Sequence, residues 1–410
     1  MCILGWYAPS PTFPDCVVNF VKRAVSVLIA CVLVFGAALA GCKKGGEAES
    51  STPSEAASIT SASLAHNAAA AETTDPVTSG VESSAVESPT EAEATASAAT
   101  LPDNSRERQV VSSCVDSCGF AGVAYAEKNG AEAYSSGDVS GTFYHVCSVS
   151  KQFTAAAVLI LNEEGKLGLD DAMSKYFPEM TCGSVTVHQL LCMSSGIPDY
   201  LTAGLYGGDI GVSEYQSAEQ NRAAILGWIE AQGEMFSPGS EYYYCNTNYF
   251  LLAEIIEKVS GMPYEQFIRQ RILDPLGMTS TGFGDTWDGA VVSAGGYGDP
   301  FGYKGLCRGC ADMISNAVDL AKWGRELCRH ELISGSVAEL MTTGYIADGS
   351  SSYGYGLVVG GNDFVYHDGN ISPYCSTLCV SPSRNFVLVL LDCDGGSPLF
   401  ALRAAVCSEI

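Results

Sequence analysis

Basic side chains are scarce in this chain. Its 410 residues include 21 Lys plus Arg against 46 Asp plus Glu, which gives a formal net charge of −25 at pH 7. A surface of this sign repels nucleic acids and other polyanions. We therefore expect no nucleic-acid partner, and we interpret most of the excess negative charge as a solvated surface.

Large apolar residues are almost absent from residues 45–105. This stretch carries ten acidic side chains and no Lys or Arg. It cannot bury enough apolar surface to offset its loss of conformational entropy, so we predict a disordered acidic tether over residues 43–108. The remaining residues, 109–410, are enough to form one globular domain with a full core.

An export signal precedes the tether. Lys22 and Arg23 come before the uncharged run 24–40, which ends in Leu39-Ala40-Gly41-Cys42. A basic flank, an apolar run and small residues are typical of a signal peptide. The ending resembles the lipobox of bacterial lipoproteins, which implies a signal peptide over residues 1–42 and lipidation of Cys42. The domain would then be anchored to the outer face of the bacterial cell membrane; an N-terminal transmembrane helix is the alternative.

Histidine is also scarce, with 5 residues, whereas cysteine is abundant, with 17. Closely spaced cysteines include Cys307 and Cys310, Cys114 and Cys118, and Cys375 and Cys379. No histidine stands at a matching spacing and no zinc pattern repeats, so we expect neither a metal nor a cofactor. Export permits disulfides. The 13 cysteines of the domain are an odd number, and most are expected to be small buried apolar side chains.

One segment carries a candidate nucleophile. Ser148 and Lys151 stand three residues apart, and the helix formers that follow them end at Gly165, which predicts a helix over residues 149–164. The two side chains would meet in its first turn. A neutral lysine can take the proton of a serine, and a helix N-terminus can stabilise an oxyanion.

The strand and helix patterns predict an α/β (α+β) fold. Strands are expected at 120–126, 353–359, 364–367, 375–380 and 385–392, with a hairpin turn at Asn129-Gly130. Helices are expected at 185–193, 217–232, 247–260 and 264–273, after a cap at Ser315, and from 399 onward. This order predicts an antiparallel sheet made from both ends of the domain, flanked by helices, plus a helical subdomain.

Three motifs in order carry a family resemblance. They are Ser148-Val149-Ser150-Lys151, Tyr244-Cys245-Asn246 and His367-Asp368-Gly369. With the segments 161–167, 195–200, 246–249 and 275–278 between them, the chain resembles the serine β-lactamase and penicillin-binding-protein superfamily. It is most similar to class C β-lactamases, D-alanyl-D-alanine peptidases and related esterases. The resemblance implies a β-lactamase/transpeptidase-like fold.

The resemblance also implies roles for the motif residues. Ser148 would attack a carbonyl, and Lys151 and Tyr244 would share the proton transfers, with Asn246 holding Lys151 and the substrate amide. His367 would lie near the phenol, and the N–H groups of Ser148 and Asn370 would form the oxyanion hole beside Gly369. The alternatives are that Tyr244 packs with its neighbouring tyrosines and that His367 is an ordinary strand histidine.

The third motif departs from the family, which usually has Lys-Thr-Gly. A neutral His367 and an acidic Asp368 would disfavour carboxylated substrates by Coulomb repulsion. We therefore predict an exported, membrane-tethered serine hydrolase that cleaves an ester or amide of a small molecule or peptide. One alternative is a class C-like β-lactamase or D-alanyl-D-alanine carboxypeptidase acting on peptidoglycan peptides. Another is a catalytically idle binding or sensing module. The acyl group, the leaving group and the oligomeric state stay open.

Overall fold

The computed structural model describes residues 103–205, 208–292, 301–395 and 397–410. The predicted signal peptide, Cys42 and nearly all of the predicted tether lie outside these ranges.

The helices are α1 Ser105–Cys118, α2 Ser150–Glu163, α3 Val187–Leu191, α4 Tyr200–Leu205, α5 Ala218–Glu230, α6 Asn246–Ser260, α7 Tyr264–Ile268, α8 Ala317–Arg329, α9 Gly335–Thr342 and α10 Leu399–Glu409. The strands are β1 Val123–Lys128, β2 Ala131–Ser136, β3 Tyr144–His145, β4 Gly282–Phe283, β5 Met313–Ser315, β6 Ile346–Asp348, β7 Ser351–Tyr353, β8 Val358–Val359, β9 Val365–Ile371, β10 Tyr374–Ser381 and β11 Phe386–Asp392.

Eight strands form one antiparallel sheet in the order β2-β1-β11-β10-β9-β8-β7-β6. β1, near the start of the domain, lies beside β11, near its end, with Val123 opposite Leu391 and Lys128 opposite Phe386. The prediction of an antiparallel sheet built from both ends of the domain is therefore confirmed. A smaller sheet, β3-β5-β4, lies where the chain enters α2.

Successive side chains of β11 belong to two different cores. One core includes Val387, Val389 and Leu391 together with residues of α2, α6 and α8. The other includes Phe386, Leu388 and Leu390 together with residues of α1 and α10. Strand side chains alternate between the two faces of a sheet, and β11 is covered on both faces. Its sequence is therefore a continuous apolar run. We call the α2 side of the sheet its inner face and the α1/α10 side its outer face.

Helix α2 is buried on every side. Residues 150–161 are all buried, and α6, α7 and α9 pack against the helix. Gly165 follows with φ +69°, the left-handed conformation that ends a helix without a Cβ clash. The predicted helix over 149–164 is thus confirmed to within one residue at each end. A helix buried all round is the centre of its domain.

The start of the domain differs from the prediction. Helix α1 begins at Ser105, inside the predicted tether 43–108, and the sequence did not predict it. Val111 and Val115 anchor this helix in the outer-face core, and Gly119 ends it with φ +63°. So few apolar residues in an otherwise polar helix give a weak periodic signal.

Several local boundaries also differ. Asn316 caps α8, its Oδ1 accepting from the Asp319 N–H at 2.9 Å, whereas the predicted cap Ser315 ends β5. The predicted strand 353–359 is two short strands, β7 and β8, separated by residues 354–357, and the predicted helix 264–273 changes into a π-turn at Arg269–Leu273. In the described part of the chain, no helix combines the length and apolar character needed to cross a membrane.

Candidate active site

Ser148 lies in a short 3₁₀ turn between β3 and α2, with its side chain half-buried. Cys147 before it has φ +47°, a left-handed conformation that residues other than glycine rarely adopt. The turn is anchored on both sides, since Ser376 Oγ donates to the Val146 carbonyl at 2.7 Å and Val146 N–H donates to the Met313 carbonyl at 3.0 Å. Such backbone strain persists only where the surroundings hold it, so the position of Ser148 is fixed.

Lys151 is fully buried, and its ammonium group reaches three oxygen atoms. Nζ lies 3.0 Å from Ser148 Oγ, 2.9 Å from Asn246 Oδ1 and 2.8 Å from the Cys310 carbonyl oxygen. An ammonium has three N–H donors, and each one is used here. Burial lowers the pKa of Lys151, but its interactions with neighbouring groups, Tyr244 first among them, favour the ammonium form and outweigh burial, so that the pKa lies above its ordinary value. Lys151 is therefore a cation in the resting site and not the neutral base that a Ser–Lys pair allows.

Tyr244 is the second group on the nucleophile. Its phenol donates to Ser148 Oγ at 2.8 Å, and Lys151 Nζ lies 4.9 Å from the centre of its ring. Burial raises the pKa of Tyr244, and the charge of Lys151 and its hydrogen bond oppose that rise. The phenol is neutral at rest, and Lys151 is the neighbour that favours its deprotonated form.

The start of α6 holds the second motif in place. Asn246 is the first residue of α6, and its backbone N–H donates to the carboxylate of Asp199. Asp199 is only 4% exposed and also accepts from the Thr202 N–H at 2.6 Å. Cys245 is fully buried and its thiol donates to the Ile197 carbonyl at 3.2 Å, in agreement with the expectation that most cysteines of the domain are small buried side chains. Asp199 thus fixes the helix end from which Asn246 reaches Lys151.

His367 lies on β9 with 3% of its surface exposed. Nδ1 is 2.7 Å from the Asp368 carbonyl oxygen, and Nε2 is 2.9 Å from the Tyr353 hydroxyl. A carbonyl only accepts, so Nδ1 carries the proton and Nε2 accepts from Tyr353. Burial and the charge of Lys151 lower the pKa of His367 to about 3. The imidazole is therefore neutral at pH 7, with its ring 6.0 Å from that of Tyr244.

Asp368 does not face the nucleophile. It lies on the outer face of the sheet, where its two carboxylate oxygens accept from Nε and a terminal nitrogen of Arg403, both at 2.9 Å. Thr377 Oγ1 donates to it at 2.6 Å. The expectation that Asp368 repels a substrate carboxylate is wrong, because a strand turns consecutive side chains to opposite faces and Arg403 neutralises this one.

Gly369 and Asn370 continue β9 beyond its pairing with β8, which involves only Val365 and Tyr366. A Cβ added at Gly369 would lie 2.5 Å from the Val146 carbonyl oxygen and 3.0 Å from Cys147 Cβ. Only glycine lets this strand approach the nucleophile turn so closely. Asn370 follows with an exposed side chain, and its role in an oxyanion hole remains a prediction.

The structure also answers the question about cysteines. All 13 cysteines of the described ranges are free thiols. Those ranges hold no group of three or more His, Cys, Asp or Glu side chains arranged to bind a metal ion.

Two groups of the site were not predicted from the sequence. The Cys310 carbonyl is one that no sequence pattern could indicate, since it acts through its backbone. Tyr353 was missed too, although a Tyr-Gly-Tyr-Gly run marks its position.

A serine and a lysine at the first turn of a buried helix, with a tyrosine hydroxyl on the serine, define a class of active-site-serine hydrolase. The comparisons with known proteins agree. A model of the beta-lactamase family matches residues 108–398, and the chain belongs to that family. The match covers the whole of the eight-stranded sheet and all three motifs.

Three relatives are similar to parts of this chain. PbpX of Bacillus subtilis (strain 168) is 31% identical over 280 residues, which are 63% of this chain and 67% of PbpX. The chain covers less of other relatives: 31% of penicillin-binding protein 4* of that bacterium and 52% of Protein flp of Staphylococcus aureus (strain COL).

Two solved structures share the fold. An octameric penicillin-binding protein homologue from Pyrococcus abyssi is 28% identical, with a TM-score of 0.59 over 74% of this chain and 76% of that one. A D-stereospecific amidohydrolase from Streptomyces sp. is 26% identical, with a TM-score of 0.59 over 74% of this chain and 98% of that one. The predicted β-lactamase/transpeptidase-like fold is confirmed, and the protein is a serine hydrolase of this family.

Proposed function

We propose that this serine hydrolase cleaves a neutral ester or amide through an acyl intermediate on Ser148. The observation that carries the proposal is that Ser148 Oγ lies 3.0 Å from Lys151 Nζ and 2.8 Å from the Tyr244 hydroxyl. A serine hydroxyl becomes a nucleophile when a neighbouring base takes its proton. One neighbour here is a cation, and the other is a phenol that the cation makes easier to deprotonate.

The proton transfers follow from those charges. The phenolate form of Tyr244 accepts the Ser148 proton while Oγ bonds to the carbonyl carbon of the substrate. The oxyanion is held by the N–H groups of Ser148 and Asn370. Tyr244 then gives the proton to the leaving alcohol or amine as the scissile bond breaks, which leaves acyl-Ser148. Water repeats the sequence to release the acid, and Lys151 stays charged throughout.

The third motif supports a neutral substrate because of His367, and not because of the repulsion by Asp368 that we expected. Where the superfamily usually has a lysine, this site has His367, which is neutral and whose two nitrogens are engaged by Tyr353 and the Asp368 carbonyl. A carboxylate would find no charge at that position. The amidohydrolase structure from Streptomyces supports cleavage of an amide at such a site.

A second candidate is a β-lactamase or a D-alanyl-D-alanine carboxypeptidase. The penicillin-binding protein homologue from Pyrococcus abyssi favours it through its shared fold and 28% identity. The absence of a lysine at the third motif argues against it. The idle binding module has least support, because the nucleophile already contacts both groups that its chemistry needs.

Two covalent probes separate these candidates. The full chain is incubated with a fluorophosphonate or with a penicillin, and its intact mass is measured, with Ser148→Ala as the matched control. We expect one fluorophosphonate adduct, absent from the control, and little penicillin adduct. A stable penicillin adduct or rapid penicillin turnover would promote the second candidate, and no fluorophosphonate adduct would favour the binding module.

We further propose that the domain is exported and held at the outer face of the bacterial membrane by a lipid on Cys42, with residues 43–104 as an acidic tether. The motif Leu39-Ala40-Gly41-Cys42 after an apolar run supports this. Cys42→Ser should release the protein or leave an unprocessed precursor. An unchanged N-terminal mass and unchanged membrane extraction would point instead to a transmembrane anchor.

A further inference from the structure

Two thiols meet on the outer face of the sheet. Cys379 of β10 and Cys407 of α10 have their sulfur atoms 3.4 Å apart. Cys379 is fully buried, and Cys407 is partly exposed, so one member of the pair can be reached from solvent. Neither thiol takes part in the chemistry at Ser148.

We propose that Cys379 and Cys407 are a redox modification site, at which a small-molecule or protein disulfide oxidises the two thiols to one disulfide that joins α10 to β10. The contact distance means that both sulfurs need only a small movement to bond. The oxidant is a disulfide because thiol–disulfide exchange needs no other reactant.

The surroundings set the order of the two steps. A hydrogen bond from Cys379 and the nearby charge of Arg403, one helical turn earlier on α10, lower the pKa of Cys407, while burial raises the pKa of Cys379. The partly exposed Cys407 is therefore the thiol that attacks first.

The exchange balances as two displacements. The Cys407 thiolate bonds to one sulfur of the oxidant and expels the other as a thiolate. Cys379 then loses its proton, attacks Cys407 Sγ and expels the second thiol. Two protein thiols are oxidised, and one disulfide of the oxidant is reduced to two thiols, which take up the two protons that the protein thiols lose.

The disulfide would link α10 covalently to β10. Arg403 of α10 holds Asp368 of β9, and Cys407 lies one turn further along the same helix. Closing the loop between residues 379 and 407 restricts the unfolded chain, which stabilises the folded state. The disulfide would thus stabilise the packing of α10 on the outer face without any change to the groups that contact Ser148.

Oxidised glutathione is a suitable probe. The full chain, purified reduced, is incubated with it, and the remaining thiols are alkylated after denaturation and counted by intact mass; peptide mapping then locates any cross-link. We expect the loss of two thiols, a Cys379–Cys407 cross-link, and a rise in Tm of roughly 5–10 °C that dithiothreitol reverses.

Two variants sharpen the test. Cys407→Ser should abolish both the cross-link and the rise in Tm, whereas Cys118→Ser, which removes another partly exposed thiol of the outer-face core, should leave both intact. Mapping of the wild type does not depend on how well either variant folds. A cross-link between other cysteines, glutathione left on Cys407 without closure, or an unchanged thiol count would each overturn the proposal.

Discussion

The two faces of β9 carry different chemistry within one three-residue motif. On the inner face, His367 is neutral and sits beside Tyr244, and Gly369 lets the strand press against the nucleophile turn. On the outer face, Asp368 accepts hydrogen bonds from two nitrogens of Arg403. Adjacent residues of the motif thus have different roles. His367 and Gly369 lie at the reaction site, whereas Asp368 attaches α10 to the sheet.

The difference shows how a strand motif should be interpreted. Side chains one residue apart point in opposite directions, so a charge can belong to the motif and still be remote from the substrate. The inner face is expected to govern kcat/KM and the outer face to govern stability. Substitutions on each face can test that division.

The largest effect is expected at the nucleophile. Ser148→Ala should lower turnover of an activated neutral ester by on the order of 10⁴-fold or more, because no other group can form the acyl intermediate. Its Tm should stay close to that of the wild type, since only one half-buried hydroxyl is lost. Turnover near the wild-type rate would remove Ser148 from the mechanism.

Tyr244→Phe should lower kcat/KM by about 10²–10⁴-fold, the range for losing a general base. The phenolate is the active form, and its fraction increases with pH toward a pKa that burial holds above the ordinary tyrosine value. Wild-type kcat/KM should therefore rise with pH on the alkaline side, and the variant should lose that rise. Tyr243→Phe is the matched control and should keep the wild-type profile; a profile that survives in Tyr244→Phe would assign the base elsewhere.

His367→Lys tests substrate choice on the inner face. A cation at this position should raise kcat/KM for the carboxylated substrate nitrocefin, relative to a neutral p-nitrophenyl ester, by roughly tenfold or more. The ratio in the wild type is the reference. Efficient nitrocefin hydrolysis by the wild type would contradict the proposed preference for neutral substrates.

Asp368→Asn should have the smallest effect on activity, within about threefold, and a clear effect on stability. The partly buried guanidinium of Arg403 loses its carboxylate, which costs about 1–3 kcal/mol, or a drop in Tm of roughly 3–8 °C. The double variant Asp368→Asn with Arg403→Met lacks the unpaired charge and should recover part of the lost stability. A double-mutant cycle of Tm values for the two single variants and the double variant measures this recovery. A large fall in kcat/KM with unchanged Tm would mean that Asp368 acts on the substrate after all.

Much of the site could be predicted because its residues lie in local motifs. The Ser148–Lys151 spacing on a helix predicts their contact, and the resemblance brings Tyr244 and Asn246 to them; the structure confirms all these contacts. The Cys310 carbonyl, which is the third acceptor for Lys151, could not be predicted, since every residue has a backbone carbonyl. Arg403 could not be predicted either, because only the packing of α10 on the sheet brings it to Asp368.

The pairing of β1 with β11 has a consequence for how the protein is made. Val123 lies opposite Leu391, so β1 has no partner on that side until β11 has been synthesised. Contacts this distant in sequence form slowly, because a long loop must close before they can stabilise anything. Folding of the sheet therefore follows synthesis, and a chain cut short before residue 386 would leave β1 as an exposed apolar edge prone to aggregation.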